Sequence, residues 1–272
     1  MTEVTASSGI HLHVTEIGAD RPGIVFCHGL FGQGRNWTTI AKGLSPDYTS
    51  LLVDLPNHGR SSWTDAFSYR EMARAVADVI DARTDGSPVA LVGHSMGGKV
   101  AMTVALQHPE IVERLGVVDI APVRYPGPSS FTGYVEAMRA LDLAKLSTRS
   151  EADDQLASGV SDPRVRSFLL QNLRREGDGW QWQMNLRLLG DHLTELGDFP
   201  ELEAAPYRGP VLWIGGARSD YVTTEYAHAM RRLFPRVVTV TVKGAGHWVH
   251  SEQPEVFVGI LRRFLAEGPG AS

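Results

Sequence analysis

Short apolar runs alternate along this chain with segments whose apolar residues repeat at helical spacing. Residues 10–17 alternate apolar and polar positions, which predicts a half-exposed strand. Six further runs predict buried strands, and these are 24–27, 51–53, 89–92, 115–120, 211–214 and 237–242. The helical patterns are 69–82, 99–107, 224–234 and 254–266. Strands that alternate with helices predict an α/β fold with a mostly parallel sheet between two helical layers.

Residues 122–206 interrupt this alternation, because they contain no run typical of a buried strand. Four helical patterns occupy the region instead, and these are 131–146, 151–159, 163–175 and 183–196. We therefore expect residues 1–121 and 207–272 to form the core, with 122–206 inserted after the sixth strand as a helical lid. In doubly wound sheets, ligands bind at the carboxyl ends of the strands, so a lid there would shape the pocket and exclude water.

Composition narrows the class of protein. The chain has 272 residues, 43% of them hydrophobic, and a net charge of -5. Lys and Arg form no block, so nucleic acid is not an expected partner. No apolar run reaches transmembrane length and the polar N-terminus has no signal core, which predicts a cytoplasmic protein. The single cysteine, Cys27, lies in a strand-like run and is expected to be a buried, inert thiol.

The most informative motif is Gly93-His94-Ser95-Met96-Gly97, a Gly-x-Ser-x-Gly sequence. The apolar run 88–92 precedes it and a helical pattern over 98–106 follows it. A strand, a sharp turn and a helix are the context of a nucleophile elbow, which presents a serine above the sheet. We expect Ser95 to be the nucleophile, with the backbone N–H of Met96 at the helix N-terminus stabilising an oxyanion.

A serine nucleophile needs a base and a second oxyanion donor. Among ten histidines, His247 follows Gly244-Ala245-Gly246, a flexible loop after the last strand, and His250 is its rival. His94 and His28 are interpreted as structural and hydrogen-bonding residues. His28-Gly29 follows a strand, and the loop in this position donates the second oxyanion N–H, assigned to Leu30, with Phe31 lining the pocket.

The triad acid has two candidates, because the chain order Ser, Asp, His allows two loops. Asp119 ends the sixth strand, and Asp220 lies in the loop after the seventh. The acid in this loop commonly occurs in the pattern Gly-x-x-Asp-x-x-Val. When that pattern is aligned on Gly216 and Val222, Ser219 fills the position of the aspartate and Asp220 is displaced by one residue. Asp119 is therefore favoured and Asp220 is kept as the alternative.

Five motifs resemble the α/β-hydrolase fold, and more narrowly the YbfF-type bacterial esterases and their mitochondrial abhydrolase relatives. They are residues 28–32 (His-Gly-Leu-Phe-Gly), 54–61 (Asp-Leu-Pro-Asn-His-Gly-Arg-Ser), 93–99 (Gly-His-Ser-Met-Gly-Gly-Lys), 119–122 (Asp-Ile-Ala-Pro) and 244–250 (Gly-Ala-Gly-His-Trp-Val-His). The resemblance implies a mostly parallel eight-stranded sheet and a carboxylesterase or thioesterase that acts on short acyl groups without a cofactor or metal. In that subgroup the sixth-strand aspartate is the triad acid, which favours Asp119; the extra acid Asp220 departs from the pattern.

These observations predict a serine hydrolase that cleaves small-molecule carboxylic esters, or thioesters, of short to medium acyl groups through an acyl-enzyme. A carbon–carbon bond hydrolase and a ligand receptor that retains the triad are the alternatives. Trp248, beside His247, is expected near the substrate. Aromatic residues of the expected lid could line an acyl pocket or simply pack on the core, and these are Phe131, Tyr134, Trp180 and Trp182.

Overall fold

A computed structural model describes residues 2–5, 9–20, 22–125, 130–177 and 179–266. Ten strands are present in these ranges: β1 (Thr2–Thr5), β2 (His11–Ile17), β3 (Pro22–Cys27), β4 (Thr49–Val53), β5 (Val89–His94), β6 (Val112–Val118), β7 (Leu173–Glu176), β8 (Gly179–Trp182), β9 (Val211–Gly216) and β10 (Val237–Val242). Eight of them form one sheet in the order β1-β2-β4-β3-β5-β6-β9-β10. From β4 to β10 the neighbours are parallel, whereas β1 and β2 are antiparallel additions at one edge.

Helices cover both faces of this sheet. The α-helices in the described ranges are α1 (Thr38–Leu44), α2 (Tyr69–Thr84), α3 (Met96–Gln107), α4 (Ser130–Arg139), α5 (Arg149–Leu156), α6 (Pro163–Leu170), α7 (Leu186–Asp191), α8 (Leu193–Gly197), α9 (Ala227–Leu233), α10 (Val249–Glu252) and α11 (Pro254–Ala266). The expected eight-stranded, mostly parallel α/β sheet flanked by helices is confirmed. None of these helices is both long enough and apolar enough to cross a bilayer.

The central strands are buried on both faces, which explains why they read as continuous apolar runs. In β3, Val25 and Cys27 belong to the core cluster that contains α2 and α3, whereas Ile24 and Phe26 belong to the cluster beneath α1 and α11. Burial raises the pKa of the Cys27 thiol to about 12, so this thiol is protonated and inert at neutral pH. The alternating apolar and polar pattern over 10–17 predicts β2, but β1 lies in a polar stretch that predicts no strand.

The segment 122–206 connects β6 to β9 and contains helices α4 to α8. It also contains an antiparallel hairpin, β7–β8, in which Leu173 pairs with Trp182 and Glu176 with Gly179. The expected helix over 163–175 is therefore wrong beyond Leu170, where α6 ends. Gly177, at φ 57°, supplies the left-handed conformation that a tight hairpin turn requires, and this local turn chemistry outweighs the helical spacing.

Candidate active site

Ser95 occupies a strained turn between β5 and α3, with φ 52° and ψ -120°. Glycines make this turn possible because other backbone segments lie very close to it. A Cβ atom at Gly93 would lie 2.1 Å from the Gly97 carbonyl oxygen, and one at Gly97 would lie 2.4 Å from the His28 carbonyl oxygen. The turn therefore has the geometry of a nucleophile elbow, in which strain persists because the surrounding packing fixes it.

Ser95, His247 and Asp119 form a hydrogen-bonded chain. His247 Nε2 lies 3.1 Å from Ser95 Oγ, and His247 Nδ1 lies 2.7 Å from Asp119 Oδ2. A carboxylate can only accept, so Nδ1 carries the proton and Nε2 is left as the acceptor for the serine hydroxyl. This tautomer is the one that a general base for Ser95 requires.

Asp119 is fully buried directly after β6 and is held by backbone groups of β9. Its Oδ1 accepts from the Gly216 N–H at 2.9 Å, and its own N–H donates to the Ile214 carbonyl at 2.7 Å. The Ser219 hydroxyl donates to Oδ2 of the same carboxylate. Sequence reasoning placed Ser219 in the acid position of its loop but did not assign it this contact.

Asp220, the alternative acid, is exposed on the loop after β9. It lines the cavity in front of Ser95, and within the described ranges the imidazole of His247 is paired with Asp119 and not with Asp220. The structure therefore brings together Ser95, His247 and Asp119 and leaves Asp220 at the cavity wall.

Two other histidines support the His247 loop. His94 Nε2 donates to the His247 backbone carbonyl at 2.8 Å, and burial lowers the pKa of His94 well below its usual range. His250, the rival base, stacks on Trp37 with ring centroids 4.2 Å apart. Burial lowers the pKa of His250 to about 3, so its ring is neutral at neutral pH. His250 is thus part of the packing beneath the loop, and His247 is the residue that contacts Ser95.

The backbone N–H groups expected to hold an oxyanion lie beside Ser95. Leu30 and Met96 line the same cavity as Ser95, and within the described residues neither N–H donates to a protein acceptor. The Gly29 carbonyl, which shares a peptide with the Leu30 N–H, accepts from the Gly32 N–H at 2.9 Å and from His28 Nδ1 at 2.8 Å. Because the two groups of a trans peptide point in opposite directions, these bonds direct the Leu30 N–H away from its own loop.

Phe31 and Trp248, the two residues expected at the substrate, have different positions. Phe31 is fully buried with φ 60°, and its ring lies 6.0 Å from that of Phe131. Its ring thus supports Phe131, which itself lines the cavity, while a direct substrate contact of Phe31 stays a prediction. Trp248 is half-buried with its ring centroid 5.5 Å from that of His247.

Two cavities flank this site, and a small one of about 10 Å³, lined by Ser95 and His247, lies between them. The larger, about 790 Å³, adjoins Ser95 and is walled by core residues and by the 122–206 segment. Apolar side chains dominate its lining, and these are Leu30, Met96, Ile120, Tyr125, Phe131, Leu193, Leu196, Tyr221 and Tyr226. The second, about 420 Å³, adjoins His247 and Trp248 and is more polar, with Asp162, Arg164, Arg218 and Glu252 at its wall.

Lys99 joins the helix behind Ser95 to the 122–206 segment. Its side chain is buried, and Nζ donates to the carbonyls of Leu196, Gly197 and Asp198 at 3.2, 2.7 and 2.6 Å. Burial lowers the pKa of the Lys99 ammonium to about 7. These three bonds satisfy all of its donors, so Lys99 fixes the end of α8 over the cavity. Within the described ranges, no group of three or more His, Cys, Asp or Glu side chains is arranged to hold a metal ion.

Comparison with known proteins agrees with this geometry. A family model described as the alpha/beta hydrolase family matches residues 24–260. The chain therefore belongs to the α/β-hydrolase family.

Several proteins similar to this chain are named as esterases or lipases. The chain is 41% identical over 254 residues to an sn-1-specific diacylglycerol lipase of Mus musculus, covering 91% of this chain and 82% of the relative. It is 31% identical over 242 residues to esterase YbfF of Escherichia coli strain K12, covering 89% of this chain and 92% of that relative. A solved marine microorganism esterase superposes with a TM-score of 0.90 at 32% identity, covering 93% of this chain and 98% of that one. The expected kinship with YbfF-type esterases and abhydrolase proteins, and the expectation of an enzyme of this group, are confirmed.

Proposed function

We propose that this protein is a serine esterase that hydrolyses carboxylic esters of short to medium acyl groups, with thioesters as a second substrate class. The observation that carries the proposal is the hydrogen-bonded chain from Ser95 through His247 to the buried Asp119. Esters are also the substrates named by its esterase and lipase relatives.

The proposed reaction is a two-step acyl transfer. Ser95 Oγ attacks the ester carbonyl carbon while His247 Nε2 takes its proton, and Asp119 stabilises the imidazolium that forms. The N–H groups of Leu30 and Met96 donate to the oxyanion of the tetrahedral intermediate. As the intermediate collapses, His247 protonates the leaving alcohol or thiol, which leaves an acyl-serine. Water, deprotonated by the same histidine, then attacks the acyl-serine, and the proton returns to Ser95 as the carboxylic acid departs.

The two cavities support an assignment of the two halves of the substrate. The leaving oxygen must lie beside His247 Nε2, which protonates it, so the alcohol occupies the 420 Å³ cavity that includes Trp248. The acyl group stays bonded to Ser95 and occupies the apolar cavity of about 790 Å³. Residues 122–206 supply Phe131, Leu193 and Leu196 to that cavity. We therefore propose this segment as a lid over a core formed by residues 1–121 and 207–272.

A panel of substrates tests this function. p-Nitrophenyl esters from acetyl to palmitoyl, and the matching acyl thioesters, would be assayed with the parent protein and with Ser95→Ala. We expect multiple turnovers with a preference for short to medium chains, and a loss of about 10⁶ in kcat for Ser95→Ala with unchanged thermal unfolding. A Ser95→Ala variant within about tenfold of the parent would remove Ser95 from the mechanism. A single slow turnover followed by retained product would instead favour a ligand receptor.

A further inference from the structure

The backbone of Phe31 is hydrogen-bonded from both sides. Its N–H donates to His58 Nε2 at 3.3 Å, and its carbonyl accepts from Asn172 Nδ2 at 2.7 Å. Phe31 has φ 60°, a conformation that is unfavourable for a bulky side chain unless its surroundings impose it. Since Phe31 directly follows Leu30, these two bonds fix the turn that determines the orientation of the Leu30 N–H.

Asn172 comes from the 122–206 segment, 141 residues along the chain from Phe31. It is fully buried, and each part of its amide has a partner. Nδ2 donates to the Phe31 and Leu169 carbonyls, at 2.7 and 3.3 Å, and Oδ1 accepts from Gln33 Nε2 at 2.6 Å. Two carbonyl partners require the NH₂ group at that position, so the orientation of the amide is determined by its contacts.

His58 comes from the motif 54–61, which the proposed reaction does not otherwise use. It is fully buried, and its Nδ1 donates to the Pro56 carbonyl at 2.9 Å, which leaves Nε2 as an acceptor for the Phe31 N–H. Burial lowers the pKa of His58 to about 3. The ring is therefore neutral at neutral pH, the state that this pair of hydrogen bonds requires.

We propose that Asn172 and His58 are positioning residues that hold the Leu30 N–H in place for the oxyanion. In this arrangement the 122–206 segment completes the oxyanion hole through Asn172, in addition to lining the cavity. The inference rests on the proposed esterase function. It matters because loss of an oxyanion donor costs about 10²–10³ in kcat, and a misplacement of about 1 Å can cost about 10².

The test compares two neighbouring residues of the same segment. Asn172→Leu keeps the size of the side chain but removes the donor to the Phe31 carbonyl. Gln171→Ala removes a different link between the same elements, the 2.9 Å bond from Asn36 Nδ2 to Gln171 Oε1, and leaves Phe31 untouched. We expect kcat on the best ester to fall about 10- to 100-fold in Asn172→Leu with little change in KM, and to stay at the parent value in Gln171→Ala.

A second readout separates positioning from a general structural role. A trifluoromethyl ketone forms a tetrahedral adduct with the serine, and its oxyanion needs the donors that the transition state needs. Its affinity should fall in Asn172→Leu by the same factor as kcat/KM. Asn172→Ala provides a second variant if the leucine is not accommodated, and thermal unfolding checks that each protein is folded.

Three results would overturn the inference. A folded Asn172→Leu or Asn172→Ala with kcat within about threefold of the parent would show that Asn172 does not position the donor. A loss of kcat with unchanged trifluoromethyl ketone affinity would place the effect outside the oxyanion hole. Failure of the parent protein on every ester would overturn the proposed function itself, and the inference with it, and this result is distinct because it appears before any variant is made.

Discussion

The hydroxyl of Ser219 donates a hydrogen bond to the Asp119 carboxylate, at the same oxygen that accepts from His247. The two residues are 100 positions apart, on loops that follow neighbouring strands. Asp119 is fully buried, and a buried carboxylate needs hydrogen-bond donors such as these. The Ser219 hydroxyl thus contacts a carboxylate that directly follows the strand next to its own in the sheet.

Removing the Ser219 hydroxyl should weaken, but not abolish, catalysis. In Ser219→Ala, Asp119 keeps the Gly216 N–H and His247 as donors. A hydrogen bond to a charged group contributes about 1.5–3 kcal/mol, so we expect kcat to fall at least about tenfold. Steady-state kinetics on the best ester measure this, with Ser219→Thr as the control that retains a hydroxyl. Parent activity in Ser219→Ala would mean that the other two donors suffice.

Replacing Asp119 or Asp220 by asparagine should change kcat to very different extents. Asp119→Asn should lower kcat by about 10⁴, because the amide favours the wrong tautomer of His247. Asp220→Asn should have little effect on kcat, because Asp220 is exposed at the cavity wall and the imidazole is paired with Asp119. Both variants would be assayed on the same ester after a check of thermal unfolding. A large loss in Asp220→Asn alone would reverse the assignment.

Substitution of His247 and of His250 should affect different measured properties. His247→Ala should match Ser95→Ala, with a loss of about 10⁶ in kcat and little loss of stability. His250→Ala should act mainly on stability, because it removes the ring that stacks on Trp37 at 4.2 Å. Activity per folded molecule, measured by active-site titration, distinguishes the two effects. A folded His250→Ala that fails to acylate would show that His250 takes part in the reaction.

The features of the site that the sequence predicts are those marked by residues close to them in the chain. The elbow around Ser95 is readable because Gly93 and Gly97 are required within a few residues of the serine, where close backbone contacts exclude a Cβ. His247 is similarly readable from the glycines before it. The preference for Asp119 came from the register of one loop, and the structure pairs Asp119 with His247.

Long-range contacts explain what the sequence does not show. The bond between Phe31 and Asn172 joins residues 141 positions apart, and no local pattern marks Asn172 as different from other polar residues. The predicted helix over 163–175 overlaps only the first three residues of β7, a run too short for periodicity to distinguish a strand from a helix. Loop alignment places Ser219 in the acid position, but its contact with Asp119 depends on which strands are neighbours in the sheet.

Acid should destabilise the protein through its buried histidines, and His28 and His58 contribute to this effect alongside His94 and His250. Burial lowers the pKa of His28 to about 4 and that of His58 to about 3, whereas both have a value of 6.5 when exposed. Between pH 6.5 and about 4 the unfolded chain therefore binds protons that the folded protein does not, so the free energy of unfolding falls as pH falls through this window. For His28 alone the loss amounts to about 3 kcal/mol.

Urea unfolding at a series of pH values measures this effect. The free energy of unfolding should decrease from pH 6.5 downward, and the decrease should be shallower in His58→Leu, because one of the four buried histidines with a lowered pKa no longer titrates. A substitution of the exposed His228 by glutamine is the matched control and should leave the slope of the parent unchanged. If His58→Leu retains the full slope, the acid sensitivity arises from other groups. The lowered pKa of His58, and with it the neutral ring that accepts from the Phe31 N–H, would then be contradicted.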